Sequence, residues 1–108
     1  MKRGEVWWAR LPAPARERPV VLLSRDAAYT VRRSVTVAPI TTKVRNIPVE
    51  VPVGVDEGLP RPSVVNTDDV ATIPAHSLGR RVGQLSSEKM QQVEDALGVA
   101  LSLPEFKR

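Results

Sequence analysis

Helical periodicity marks one stretch of this chain, at its C-terminal end. Ser86 is a good N-cap, Glu88 falls in the first turn, and Met90, Val93, Leu97 and Leu101 recur at spacings of three, four and four, so the sequence predicts one amphipathic helix. Gly98 weakens its last turns by about 1 kcal/mol relative to alanine, and Pro104 sets its latest possible end. Upstream, short apolar runs separated by prolines, glycines and charges read as strands. A sheet of short strands followed by one helix is an α+β arrangement. Its most economical form is a small, strongly bent antiparallel sheet or open barrel with the C-terminal helix packed on it.

The first strand, Glu5 to Leu11, places Val6, Trp8 and Arg10 on one face and Trp7, Ala9 and Leu11 on the other, so alternation turns one tryptophan inward. It ends at Pro12, and residues 12–17 form a proline-punctuated loop. Val20 to Ser24 is a continuous apolar run, the pattern of a strand buried on both faces. Residues 25–33 carry charges and read as a connection, Val35 to Ile40 as a third strand, and Pro48 to Val53 as a fourth whose prolines suggest an edge. Gly54 to Pro62 is a turn-rich link. Ser63 to Asn66 and Val70 to Ile73 form either a strand pair or one bent strand, and Val82 to Leu85 is a last short strand.

A chain of 108 residues is expected to form a single domain, 1–108. No run approaches the roughly 20 apolar residues of a membrane span, and Met1-Lys2-Arg3-Gly4 leads straight into a strand, so the expectation is a soluble, cytoplasmic protein with no membrane partner. The absence of cysteine excludes disulfides and thiolate metal sites, and His76 stands alone, so any catalysis is expected to need neither metal nor cofactor. The net charge of +4 and pI near 10.1 favour a polyanionic partner such as nucleic acid.

Two segments sharpen that expectation. Arg18-Pro19 runs into Val20-Val21-Leu22-Leu23-Ser24, and Val37-Ala38-Pro39-Ile40 ends in Thr41-Thr42, followed by Lys43 and Arg45. Each is a buried strand with a polar or cationic group at one end. An arginine offers a fixed fork of donors that fits a phosphate, and a threonine hydroxyl donates to another oxygen of the same group, so a phosphodiester is the ligand they suit. The plainer alternatives are an Arg18 that caps its strand or pairs with Glu17 or Asp26, and threonines that are simply good strand formers.

The ordered set of segments resembles the MazF/PemK toxins, the endoribonuclease halves of bacterial toxin–antitoxin modules. The resemblance covers nearly the whole chain: Lys2-Arg3-Gly4-Glu5-Val6-Trp7-Trp8, Arg18 to Ser24, Val37 to Thr42, Leu59-Pro60-Arg61-Pro62-Ser63-Val64-Val65-Asn66, and Val82-Gly83-Gln84-Leu85 before the helix. It implies an SH3-like or CcdB-like barrel, a homodimer, metal-independent cleavage of single-stranded RNA at short sequence motifs, and a cognate antitoxin that blocks the site. Arg18 matches the family's catalytic arginine and Thr41 its catalytic hydroxyl residue. As implied chemistry, a ribose 2′-oxygen attacks the adjacent phosphorus and leaves 2′,3′-cyclic phosphate and 5′-hydroxyl ends. An arginine holding charge that appears on the phosphate oxygens fits that step better than an arginine donating a proton.

The first loop departs from the family pattern. Ala13 stands five positions before Arg18, where some relatives carry an acidic residue, so the general base is unassigned; Glu17 is close in sequence, but a strand would turn its side chain away from that of Arg18. Arg16, Arg25, Lys43 and Arg45 flank the two motifs as candidate contacts to an RNA backbone, with Thr42 beside Thr41, and Ser63 and Asn66 as further candidate RNA contacts. Arg32-Arg33, Arg80-Arg81 and His76 read as surface. Two other classes share such a fold: a CcdB-like poison of DNA gyrase, and an RNA-binding adaptor without cleavage. Joint retention of Arg18 and Thr41 argues against the first, and the change at Ala13 keeps the second open.

Overall fold

The computed structural model describes residues 1–14 and 16–106. Among them the chain forms β1 (Glu5–Arg10), β2 (Glu17–Leu22), α1 (Ala28–Val31), β3 (Ser34–Thr41), β4 (Glu50–Val53), β5 (Ser63–Asn66), β6 (Ala71–Pro74), β7 (Leu78–Gln84) and α2 (Ser87–Ala100). The strands pair antiparallel in the order β4-β5-β3-β2-β1-β7, an unclosed, bent sheet with β6 alongside β3. This is the α+β architecture expected from the sequence.

Several boundaries differ from the expectation, each for a local reason. β2 begins at Glu17, earlier than its apolar run, because Arg10 and Ala9 of β1 pair with Glu17 and Arg18. β4 begins at Glu50, because the amide of Glu50 is used in a turn, donating to the Ile47 carbonyl at 3.0 Å. It ends the sheet, as its prolines suggest. β5 and β6 are two strands in succession that both pair with β3. β3 pairs first with β5 (Thr41 with Val64) and then with β6 (Val37 with Ala71 through Ser34 with Pro74), and a 3-10 turn at Thr67–Asp69 absorbs the shift in register. The Thr67 hydroxyl pins that turn to the Val49 carbonyl at 2.6 Å.

β7 runs from Leu78, so Arg80 and Arg81 lie within a strand, paired with β1. Ala28–Val31 forms one helical turn where a plain connection was expected.

Strand alternation sorts the core into two clusters. Val6, Val21, Ala38, Ile40, Val51 and Val65 face α2, where Val93 and Ala96 meet them. On the other face Ala9, Val20, Leu22, Val35, Val37 and Ile73 form a second cluster, with Trp7, Leu11, Tyr29 and Leu78 packed against it. Adjacent residues of β2 thus serve opposite clusters, which is why Val20 to Leu22 is apolar without a break. Trp7 is the inward tryptophan, and its indole N–H donates to the Glu5 carboxylate at 3.0 Å.

α2 starts where its sequence predicts: the Ser86 hydroxyl accepts from the Lys89 amide at 3.0 Å. It ends at Ala100, so Leu101 lies outside it, 64% exposed. Arg3 ties the amino-terminal segment to this helix through Glu94 at 2.9 Å. Gly58 and Gly83 make a close approach possible: a Cβ at Gly58 would sit 2.5 Å from the Val82 carbonyl oxygen, and one at Gly83 would strike the Glu57 carbonyl.

Tyr29, the chain's one tyrosine, is pushed up to about 12 by burial, with the nearby Asp26 charge adding to the shift. The neutral phenol is therefore favoured by folding. Its contribution is fully present below the ordinary tyrosine value of about 10 and is lost as pH rises from there through 12. A titration followed by tyrosinate absorbance is expected to show one late transition in the folded protein, moved to lower pH in denaturant. A folded-state midpoint near the free-tyrosine value would contradict the placement.

Candidate active site

Arg18 is the second residue of β2, opposite Ala9 of β1. On its other side β2 pairs with β3 through Val20 with Pro39, Val21 with Ala38 and Leu22 with Val37. The ladder ends at Val20 with Pro39, so Arg18, two residues before Val20, and Thr41, two residues after Pro39, lie at the same end of the two strands, on the face of Val20 and Leu22. The two motifs that stand apart in sequence therefore meet at one end of the sheet. Thr41 is held in the ladder by Val64 of β5, and its Oγ1 accepts from the Lys43 amide at 3.1 Å. That bond uses an oxygen lone pair, so the hydroxyl proton remains available for an anion.

Arg18 is half-buried, and among the described residues its guanidinium makes no ion pair or side-chain hydrogen bond. The partners named in the plainer reading are engaged elsewhere. Glu17 lies 3.9 Å from Arg10, and Asp26 accepts from the Arg3 amide at 2.7 Å. Glu17 is exposed and, one residue from Arg18 in the strand, turns to the opposite face.

The cations divide by position. Arg16, Thr42, Lys43 and Arg45 are exposed at the Arg18 end of the sheet, just before β2 and just after β3. Arg16 takes a left-handed backbone conformation, φ 57°, while its carbonyl closes the first loop on the Leu11 amide at 2.7 Å. Arg25 is at the other end of β2. Leu22 alone lies about 13 Å from Arg18 at roughly 3.3 Å per residue, and Arg25 follows it beyond the strand's end, so it is not placed with this cluster.

Ser63 and Asn66 are buried, and their polar groups bond to nearby backbone and, for Asn66, also to the Asp69 carboxylate. The Ser63 hydroxyl donates to the Arg61 carbonyl at 3.0 Å; the Asn66 amide oxygen accepts from the Asp68 amide and its nitrogen donates to Asp69, both at 3.0 Å. These side chains shape the β5–β6 bend rather than face an open groove. Arg61, exposed just before β5, joins the cationic end instead because Val64 pairs with Thr41. The sequence of the Leu59 to Asn66 motif does not mark it, since only the pairing of β5 with β3 reveals where it lies.

A cleft of about 880 Å³ is lined by Trp8, Arg10, Glu17, His76, Ser77 and Arg80 among others, where β1, β6 and β7 converge. Neither Arg18 nor Thr41 lines it.

A half-buried arginine and a threonine hydroxyl at one end of a bent sheet, with exposed cations near them, make an arrangement that suits an anion. The chain belongs to the family of PemK-like, MazF-like toxins of type II toxin–antitoxin systems, whose pattern it matches over residues 2–101. It is 44% identical over 86 residues to the endoribonuclease MazF3 of Mycobacterium tuberculosis, covering 80% of this chain and 84% of the relative. The fold is similar to that of the Mycobacterium tuberculosis toxin MazF-mt6, with a TM-score of 0.86 and 40% identity over 92% of this chain and 97% of that one. It is also similar to a mycobacterial endoribonuclease solved in complex with its cognate antitoxin, with a TM-score of 0.85 and 28% identity over 96% and 97% of the two chains.

Proposed function

We propose that this protein is the toxin of a type II toxin–antitoxin pair, a homodimeric endoribonuclease that cuts single-stranded RNA without a metal and thereby stops translation and growth. The observation that supports the reading is that the β2–β3 ladder ends at Val20 with Pro39, which leaves Arg18 and Thr41 at the same end of the two strands, with no ion pair or side-chain hydrogen bond to the Arg18 guanidinium among the described residues. In the reaction the ribose 2′-oxygen forms a bond to phosphorus as the bond from phosphorus to the 5′-oxygen breaks. The proton lost from the 2′-hydroxyl is balanced by the one gained at the departing 5′-oxygen. Arg18 holds the negative charge that builds on the non-bridging oxygens, where a preorganised cation in a partly dry site is most effective. Thr41 donates to another oxygen of the same phosphate, and Arg16, Lys43 and Arg45 hold the flanking backbone. No proton transfer is assigned to Glu17, which faces away.

The basic end also suits the antitoxin. An acidic, extended segment laid over Arg18, Lys43 and Arg45 would be steered there by charge and would exclude RNA. Among the described residues no helix is long and apolar enough to cross a membrane. A cytoplasmic location, where RNA and antitoxin are both met, is part of the reading, as is a single catalytic domain. Incubating the purified protein with a long single-stranded RNA in EDTA tests it. Cleavage at short recurring motifs with 2′,3′-cyclic phosphate and 5′-hydroxyl ends is expected, and RNA left intact by a folded protein would overturn it.

A further inference from the structure

Glu50 and Glu57 are the buried acidic residues among those described, and of the two Glu50 is the one near the Arg18 end of the sheet. It stands in an edge strand, where alternation with Val49 and Val51 would send it to solvent, yet its side chain is 1% exposed. Three donors converge on it. Oε1 accepts from the backbone amides of Arg45 at 2.8 Å and Asn46 at 3.1 Å, and Oε2 accepts from Arg45 Nε at 3.0 Å. The chain reverses to make this possible: Asn46 adopts a left-handed φ of 55°, a conformation asparagine tolerates better than most residues, and the Glu50 amide closes the turn on the Ile47 carbonyl at 3.0 Å. The Arg45 amide, and then its guanidinium, hold the Glu50 carboxyl below its ordinary value despite burial.

The bond to Glu50 uses only Nε of Arg45. Among the described residues the two outer guanidinium nitrogens make no hydrogen bond, and the side chain is 49% exposed. An arginine fixed at Nε with its outer nitrogens free is preorganised to meet an anion, since less rotamer freedom is lost on binding. It lies four residues beyond Thr41, at the end of the sheet that carries Arg18.

We propose that Glu50 is a positioning residue for RNA: its buried carboxylate clamps the β3–β4 loop so that Arg45 presents its outer guanidinium nitrogens to the phosphate next along the strand from the one at Arg18 and Thr41. This rests on the ribonuclease reading above. The clamp acts on binding and leaves the chemical step to Arg18 and Thr41. It gives a loop of exposed residues a fixed shape without help from the apolar core.

The test compares Glu50→Gln, Arg45→Ala and the double variant with the parent on a short single-stranded RNA carrying one cleavage motif, with hydrogen exchange followed at the Arg45 and Asn46 amides. In Glu50→Gln those two amides are expected to lose protection, and KM to rise about tenfold while kcat stays within about twofold. Arg45→Ala, which removes a largely exposed side chain, is expected to raise KM equally and to lower the salt dependence of RNA binding by about one phosphate contact. The double variant is expected to be no worse than either single one, because both remove the same contact. A Glu50→Gln protein with parental KM and parental protection at both amides would overturn the proposal. So would an Arg45→Ala protein with parental KM, which judges the clamp even if Glu50→Gln fails to fold. A parent that leaves RNA intact would instead sink the ribonuclease reading, and the exchange data alone would then decide whether Glu50 orders the loop.

Discussion

Replacing Arg18 by alanine is expected to slow RNA cleavage by about 10²–10³-fold, the loss typical of removing one preorganised donor from a developing oxyanion. Stability should be nearly unchanged. The side chain is half-buried and makes no ion pair or side-chain hydrogen bond among the described residues, so truncation strands no buried partner. Arg18→Lys separates charge from geometry. It keeps a cation but loses the planar fork, and an intermediate rate is expected if bidentate contact to the phosphate matters. Single-turnover rates with saturating enzyme, read beside circular dichroism and thermal melts, check both statements. An Arg18→Ala protein that melts normally and cuts at the parental rate would remove Arg18 from the site.

The second large effect concerns the sheet that carries the site. Leu22 is fully buried at the end of β2, in the cluster with Val20, Val35 and Val37. Truncation to alanine removes apolar contacts and leaves a cavity whose buried neighbours Val20, Val35, Val37 and Ile73 are β-branched and have little freedom to collapse into it. A loss of about 3 kcal/mol is expected. For a domain of this size that corresponds to a drop in Tm of more than about 10 °C. Thermal and urea denaturation measure it, and a loss below about 1 kcal/mol would show that the second cluster is not packed as described. Arg18 shares a strand and a face with Leu22, so this variant should also cut RNA near the parental rate at low temperature if the register survives. That outcome separates a stabilising core residue from a catalytic one.

Much of this architecture is legible in the sequence. The helix is, because Ser86 and the Met90, Val93 and Leu97 stripe are local signals, and local signals survive folding. The apolar run of β2 is, because burial on both faces leaves no polar position. The meeting of Arg18 and Thr41 is half legible: each strand announces itself, but only the pairing of Val20 with Pro39 brings their ends together. What escapes is long-range or conformational. β7 reads as too short because Gly79, Arg80 and Arg81 satisfy no alternation, yet β1 supplies a ladder for them. Arg25 reads as a neighbour of Arg18 along the chain, although the length of β2 carries it away. Ser63 and Asn66 read as ligands because polar residues in a motif suggest contact, whereas the bend between β5 and β6 consumes their hydrogen bonds. Glu50 reads as the solvent side of an edge strand, because nothing local shows that Asn46 turns the chain back so that two amides and a guanidinium reach it.

The central claim is that a ribose 2′-oxygen is the nucleophile and that Arg18 and Thr41 stabilise its attack. It is tested most directly with an RNA cut at a single mapped site and a copy in which the nucleotide on the 5′ side of that site carries a 2′-deoxy substitution, both incubated with the protein in EDTA. Cleavage of the first to 2′,3′-cyclic phosphate and 5′-hydroxyl ends, with the second intact though still bound, is the predicted result. Cutting of the deoxy-substituted copy at the same position would contradict the mechanism, since a nucleophile other than the 2′-oxygen would then be doing the chemistry.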